Sequence, residues 1–202
     1  MRNLLLLFVS LIFVSSCGIK EKLQPMSTVS GEVFVVTKGA GNMKLALVDV
    51  KAIPSQIFYS ALESRKQEVQ SAIQQRFKNA NDCNDLINKF RAGQKVAEGT
   101  EALMTRCVGV FREYEALPEI LMQKLPAETQ SSTSNSEGKF SFKLPQNTKY
   151  VILGKGRRSV GDKEENYYWL QDVEINSETT NVMLSNNNLM QPDMTRLAYG
   201  GK

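Results

Sequence analysis

Between Met26 and Ile53 the chain sets β-branched and apolar residues in short runs around glycines. In "VSGEVFVVTKGAGNMKLALVDVKAI", Val33 to Val36 and Met43 to Val50 flank Gly39-Ala40-Gly41-Asn42. This pattern predicts two strands, joined as a hairpin or lying as neighbours in a sandwich. The unbroken VFVV run predicts burial on both faces.

After Pro54 the period changes. Phe58, Leu62, Val69, Ile73, Phe77, Ala80, Cys83, Ile87 and Phe90 recur at gaps of three and four, with a single gap of seven. That is helix spacing, and it predicts a helix from Ser55 to about Arg91. Gly93 and Gly99 then supply a turn. A second helical run follows at Leu103, Cys107, Val110, Phe111, Tyr114, Leu117 and Leu121, with Pro118 expected to end or kink it. Together these segments predict a long antiparallel α-helical hairpin.

The stretch "LPAETQSSTSNSEG" is poor in apolar residues and predicts a flexible return loop. Alternation resumes at Phe140, Phe142 and Leu144, and again at Tyr150, Ile152 and Gly154 against Val151 and Leu153, which predicts two strands. "ENYYWLQDVEI" and "TTNVMLS" predict two more. The expected architecture is α+β: a small antiparallel β-sandwich from 29–53 and 138–185, interrupted by a helical hairpin at 54–125. A loop at 126–137 and a surface tail at 186–202 complete it.

The first residues add a compartment. Arg2 gives a positive start, Leu4 to Val14 is apolar but for Ser10, and Val14-Ser15-Ser16 supplies small residues before Cys17. These three parts describe a secretory signal peptide at 1–16. The apolar run is too short for a membrane span, which needs about 20 residues. Val14-Ser15-Ser16-Cys17 also resembles the lipobox of bacterial lipoproteins. The resemblance implies cleavage before Cys17, a diacylglyceryl thioether on its sulfur and an acyl group on its new amine. Residues 17–28 would form a tether to the membrane. Gly18 stands where an Asp would resemble an inner-membrane retention signal, so the resemblance favours the outer membrane, facing the periplasm. The other reading of these residues is an ordinary signal peptide with an incidental cysteine.

Charge and composition then narrow the chemistry. Loss of Arg2 takes the net charge from +4 to +3, with 24 Lys and Arg against 21 Asp and Glu. Such a mild, mixed balance gives no concentrated basic face for nucleic acid. The chain has no histidine, which removes the usual general base near neutral pH and the commonest metal ligand. No cofactor and no metal are expected, and a catalytic role loses support. Cys83 and Cys107 are centred on residue 95, inside the predicted turn. In an antiparallel hairpin they face each other, and in an oxidising envelope they would form a disulfide. A catalytic cysteine pair and a metal site are the competing readings.

Three further constellations carry possible chemistry. Tyr167-Tyr168-Trp169 is the densest aromatic cluster and holds the only tryptophan. Alternate members face opposite sides of a strand, so at least one is core. An exposed remainder could stack on sugar rings or anchor a partner. "GKGRRSVGDK" could cradle an anion, or form a surface turn. Glu164-Glu165 and Glu113/Glu115 are carboxylate pairs without a placement across a cleft, which leaves a glycosidase-type hydrolase as a remote option.

"SNSEGKFSFKLPQNTKYVILGKG", with Gly138, Phe140, Phe142, Pro145, Tyr150 and Ile152, resembles the carboxypeptidase regulatory-like domains. The Met26–Ile53 stretch is similar to that family's opening strands. The resemblance implies a transthyretin-like β-sandwich, with the hairpin as a departure from the compact family pattern. It carries over no catalytic residue. The function expected is a lipid-anchored envelope protein with a structural or protein-binding role and an envelope protein as partner. A cell-wall glycan-binding module is the alternative.

Overall fold

In the computed structural model, which describes residues 24–37, 39–96 and 99–192, β1 (Met26–Val36) turns Val29, Val33 and Val35 to one buried face. Phe34 is half-buried and Val36 exposed. Among the described residues the VFVV run is therefore fully buried on one side only. β2 (Asn42–Lys44) and β3 (Asp49–Pro54) follow, and Pro54 ends β3 at the point where α1 (Ser55–Arg91) begins. At 1.5 Å per residue, the 37 residues of α1 span about 55 Å. Gly93, at φ +72°, turns the chain toward α2 (Thr100–Glu115). The second helical run breaks at Ala116, and α3 (Leu117–Met122) restarts with Pro118 in its first turn, where a missing N–H costs nothing.

The rest is β-structure: β4 (Gln130–Thr133), β5 (Lys139–Pro145), β6 (Thr148–Val160), β7 (Lys163–Ile175) and β8 (Thr179–Leu184). The eight strands form two four-stranded sheets. In the first, β1 pairs antiparallel with β2 and β5 and parallel with β8; the second runs β4-β3-β6-β7, all antiparallel. The parallel pairing departs from an all-antiparallel sandwich for a simple reason. β7 ends beside the start of β6, and the short 176–178 connection leaves β8 at the end where β1 begins. Both strands then run the same way. Gly31 sits at this crowded junction, where a Cβ would collide with the Val182 carbonyl and the Phe140 ring.

Between the sheets lies the main core, with Val29, Val33, Phe142 and Leu144 from one side and Val50, Tyr150, Ile152, Trp169 and Ile175 from the other. The second sheet is covered on its other face too. Ile53, Val151 and Leu153 pack against Phe58 of α1. Tyr168 packs against Ile73 and Phe77 of α1 and Leu117 and Leu121 of α3. The helices thus make a third layer, which explains why Tyr150 to Gly154 is buried at every position. Past Phe77 the hairpin leaves the sheet and holds its own small core around Cys83, Leu103 and Cys107.

Two segments are more structured than their polarity suggests. The 126–137 stretch, expected to be a flexible loop, contains β4, paired with β3 from Asp49↔Thr133 to Ala52↔Gln130. The buried Ser134 hydroxyl closes that end by accepting from Val48 N–H (2.9 Å) and donating to the Leu45 carbonyl (2.7 Å). At the start of the 186–202 tail, Leu189 bridges to Trp169, and the N–H of buried Met190 donates to the Tyr168 carbonyl (2.6 Å).

The topology also gives the molecule two ends. The start of β1 pairs with Pro145, the end of β3 with Tyr150, and Thr148 with Ile175. The first residue of β1 and the root of α1 therefore share one end. α1 then passes Val151 and Leu153 before reaching Tyr168, whose strand partner is Lys155. It runs toward the opposite end, where the β6–β7 turn lies.

Candidate functional site

The sequence-derived site residues fall in three places. Cys17 lies outside the described residues. Cys83 and Cys107 are joined as a disulfide, with Cα atoms 5.7 Å apart and both residues buried on facing helices. Their separation is within the range that an unforced bridge adopts. Tyr167, Tyr168 and Trp169 lie on β7 and alternate as expected, but both faces of that strand are covered. Trp169 has no exposed surface; its indole N–H donates to the Ser185 carbonyl at 3.1 Å. Tyr168 is buried beneath the helices. Only Tyr167 reaches the surface, half-buried and stacked on Trp169 at 5.7 Å between centroids. The triplet is thus a core feature in two of its three members, and no aromatic platform for a sugar forms there.

The glycine-rich stretch before it has a structural use. A Cβ at Gly154 or Gly156 would press on the Trp169 ring, and at Gly156 also on Val48. These glycines make room for the indole across the strand pair, Gly154 being its direct partner. The following residues form the β6–β7 hairpin, turned at Gly161 (φ +59°). Arg158 donates from Nη2 and Nε to one oxygen of Glu165 (2.7 and 3.1 Å), and Tyr167 donates its hydroxyl to the same oxygen. Glu164 instead faces Arg157 at 3.8 Å, so the two adjacent carboxylates diverge.

Three tyrosines, from buried Tyr168 through half-buried Tyr167 to the more exposed Tyr59, carry a pH signature. Burial, then the hydrogen bond to Glu165 and its charge, pushes Tyr167 up to about 12. Burial, then the Glu119 carboxylate, does the same for Tyr168, and burial with Asp172 for Tyr59. In the unfolded chain a tyrosine ionises near 10. Below that pH both states hold the proton and the folded protein keeps its full stability. Between about pH 10 and 12 the unfolded chain loses protons that the fold retains, so stability falls as pH rises. We expect the denaturant midpoint, followed by circular dichroism, to drop through this window, with phenolate absorbance rising together with unfolding. A midpoint flat to pH 12 would contradict the desolvation and carboxylate contacts of these hydroxyls.

One concave site stands out on the helix-covered face of the second sheet. It is a cleft of about 320 Å³ between β3, β6 and the chain that joins α3 to β4. Leu153, Gly154 and Leu125 form apolar wall. Asp49, Lys51, Lys124, Glu128 and Lys155 ring it. Lys51 lies 3.7 Å from Asp49 and 3.8 Å from Glu128, a row of acceptor, donor and acceptor. Lys155 pairs with Glu119 at 3.4 Å and Lys124 with Glu68 at 3.6 Å. All are exposed enough that each pair contributes at most about 1 kcal/mol, which leaves the groups free to exchange partners. Among the described residues no three His, Cys, Asp or Glu side chains converge as metal ligands.

Known proteins add little to this site. No protein-family model matches the chain, and no curated protein matches it. Among solved structures it resembles a Pseudomonas aeruginosa protein provisionally described as carbohydrate-binding. The identity is 10%, over 81% of this chain and 90% of that one, with a TM-score of 0.38. It also resembles the pilus backbone protein of Streptococcus pneumoniae at 9% identity, over 79% of this chain and 41% of that one, with a TM-score of 0.22. TM-scores this low carry no argument about ligand or activity.

Sequence reasoning missed the cleft. Its charged residues come from β3, from β6 and from the α3–β4 connection, and Asp49 and Lys155 lie more than a hundred positions apart. No spacing rule joins them. The one available signal is a lysine at an outward position in each of two buried strands, Lys51 and Lys155.

Proposed function

We propose that this chain is a lipid-anchored protein of the bacterial cell envelope with a non-catalytic role. It would be held at Cys17 to the outer membrane and present its helical hairpin to a protein partner in the periplasm. The sandwich, built from the strands whose sequences resemble carboxypeptidase regulatory-like domains, would serve as the base. The observation that carries this reading is the shared end of the molecule. Met26 lies nine residues after Cys17, a reach of at most about 30 Å when extended. The root of α1 lies at that same end and the helix runs the other way. A tether there would hold the sandwich near the membrane and the hairpin tip far from it. Among the described residues no helix is long and apolar enough to cross a membrane.

Intact mass of the protein taken from its native membrane tests the anchor. A chain beginning at Cys17 with a lipid-sized increment is expected, and Cys17→Ala should move the protein to the soluble fraction. A cleaved, unlipidated chain would overturn the proposal. The partner is tested by photo-crosslinking from Val108, exposed on α2, against Leu47, exposed on the sandwich. Adducts from Leu47 alone would remove the hairpin from the role.

A further inference from the structure

We propose that the cleft beside α3 binds a small sugar acid, with Arg65 of α1 receiving its carboxylate. The Arg65 side chain is enclosed at Nε and Nη1, and neither nitrogen has a hydrogen-bond partner. A guanidinium is always charged; that of Arg65 belongs to a half-buried residue, and enclosing two of its N–H donors without acceptors carries a desolvation cost. Such a group in a native protein calls for a function. Its planar fork matches a carboxylate through two parallel hydrogen bonds.

Arg65 does not line the cleft itself but a small void beside it. The void, of about 10 Å³ and near the size of one water, is also lined by Lys124, Leu125 and Pro126. The same three residues line the 320 Å³ cleft. This stretch of chain therefore borders both the void at Arg65 and the larger space. Lys124 sits there at φ +53°, a left-handed conformation that is uncommon for a residue with a side chain. Backbone held in this way gathers at ligand clamps, where a small shift is part of binding. A shift of Lys124–Pro126 would join the void to the cleft and expose the fork to a ligand.

The cleft itself selects the rest of that ligand. Its volume is at the lower end of small-molecule sites. The Asp49–Lys51–Glu128 row offers acceptor, donor and acceptor in sequence, which suits vicinal hydroxyls that both donate and accept. Lys124 and Lys155 can turn from their exposed glutamate partners to an anion, and Leu153 and Leu125 give apolar surface for the ring's C–H faces. A hexuronate has these features together: one carboxylate, several hydroxyls and a compact ring. The site is independent of the anchor and of the partner proposed above.

Sodium glucuronate is the probe, with glucose as its neutral counterpart and inorganic phosphate as a second anion, each followed by the unfolding temperature and by calorimetry. Glucuronate should raise the unfolding temperature, while glucose and phosphate leave it unchanged. Arg65→Gln should weaken glucuronate binding at least about tenfold, the effect of losing a charge-assisted hydrogen bond. Lys155→Gln, an exposed change on the opposite wall, should weaken it less and leaves the fold intact if Arg65→Gln does not. No response to glucuronate would overturn the proposal. So would an equal response to phosphate or glucose, or glucuronate binding that survives in Arg65→Gln.

Discussion

Replacing Trp169 by Ala is expected to remove about 3–5 kcal/mol of stability, the usual cost of emptying a large aromatic from a core. Domains of this kind have about 5–15 kcal/mol in all, so the variant would sit near the edge of folding. The indole has no exposed surface and lies between Gly154, Gly156 and Val48. Collapse around the cavity is hindered because two of those neighbours are glycines with no side chain to move in. The loss also frees the Ser185 carbonyl, which receives the indole N–H. Trp169→Phe keeps most of the volume and should cost markedly less. Circular dichroism in denaturant is the measurement, since the variant removes the only tryptophan. A shift below about 1 kcal/mol would mean that the indole is not part of the core. This expectation changes how a binding experiment is read: a Trp169→Ala protein that no longer binds a glycan has lost its fold, not a stacking platform.

The hairpin was the most legible part of the chain, because helix spacing repeats over many turns and each turn reports on the same face. Phe58, Ile73, Phe77, Ala80 and Cys83 all lie on the buried side of α1, as their spacing predicts. Only its far end departs, with Phe90 exposed where the hairpin has thinned to two helices. Strands told less. β4 has no apolar residue, and it forms because its backbone completes the edge of β3 and Ser134 closes the end. A hydrophobic pattern does not register a strand held by backbone alone. The two apolar runs VFVV and YVIL look alike in sequence, yet only the second is buried on both faces. The difference is the helical layer over β6, and that layer is the inserted hairpin itself. The same layer hides Tyr168, which is why the aromatic triplet could be divided into two faces from sequence but not into buried and exposed members. The cleft was illegible for a related reason. It exists only where α3 leaves the second sheet partly uncovered.

Breaking the Cys83–Cys107 bridge is expected to cost about 3.5 kcal/mol, from the entropy that a closed loop of this size removes from the open chain. Where that loss falls is set by the packing. Among the described residues the hairpin beyond Phe77 has a core of its own, Cys83, Leu103 and Cys107, with a few partly buried neighbours such as Ile87 and Phe111 and no strand residue among them. The sandwich core shares none of these residues. Reduction, or Cys83→Ser with Cys107→Ser, should therefore loosen the tip and leave the β-structure closed. In hydrogen exchange, amides of α2 and of the last turns of α1 should lose protection by about 300-fold, at one decade per 1.4 kcal/mol. Amides of β6 and β7 should hardly change. An even loss across the sandwich would show that the tip and the body unfold as one unit, and no loss anywhere would show that helix packing alone holds the tip. In the proposed role, a tip that frays no longer presents one shape to a partner. The crosslinks expected from Val108 should then fade on reduction while the protein stays folded at its base.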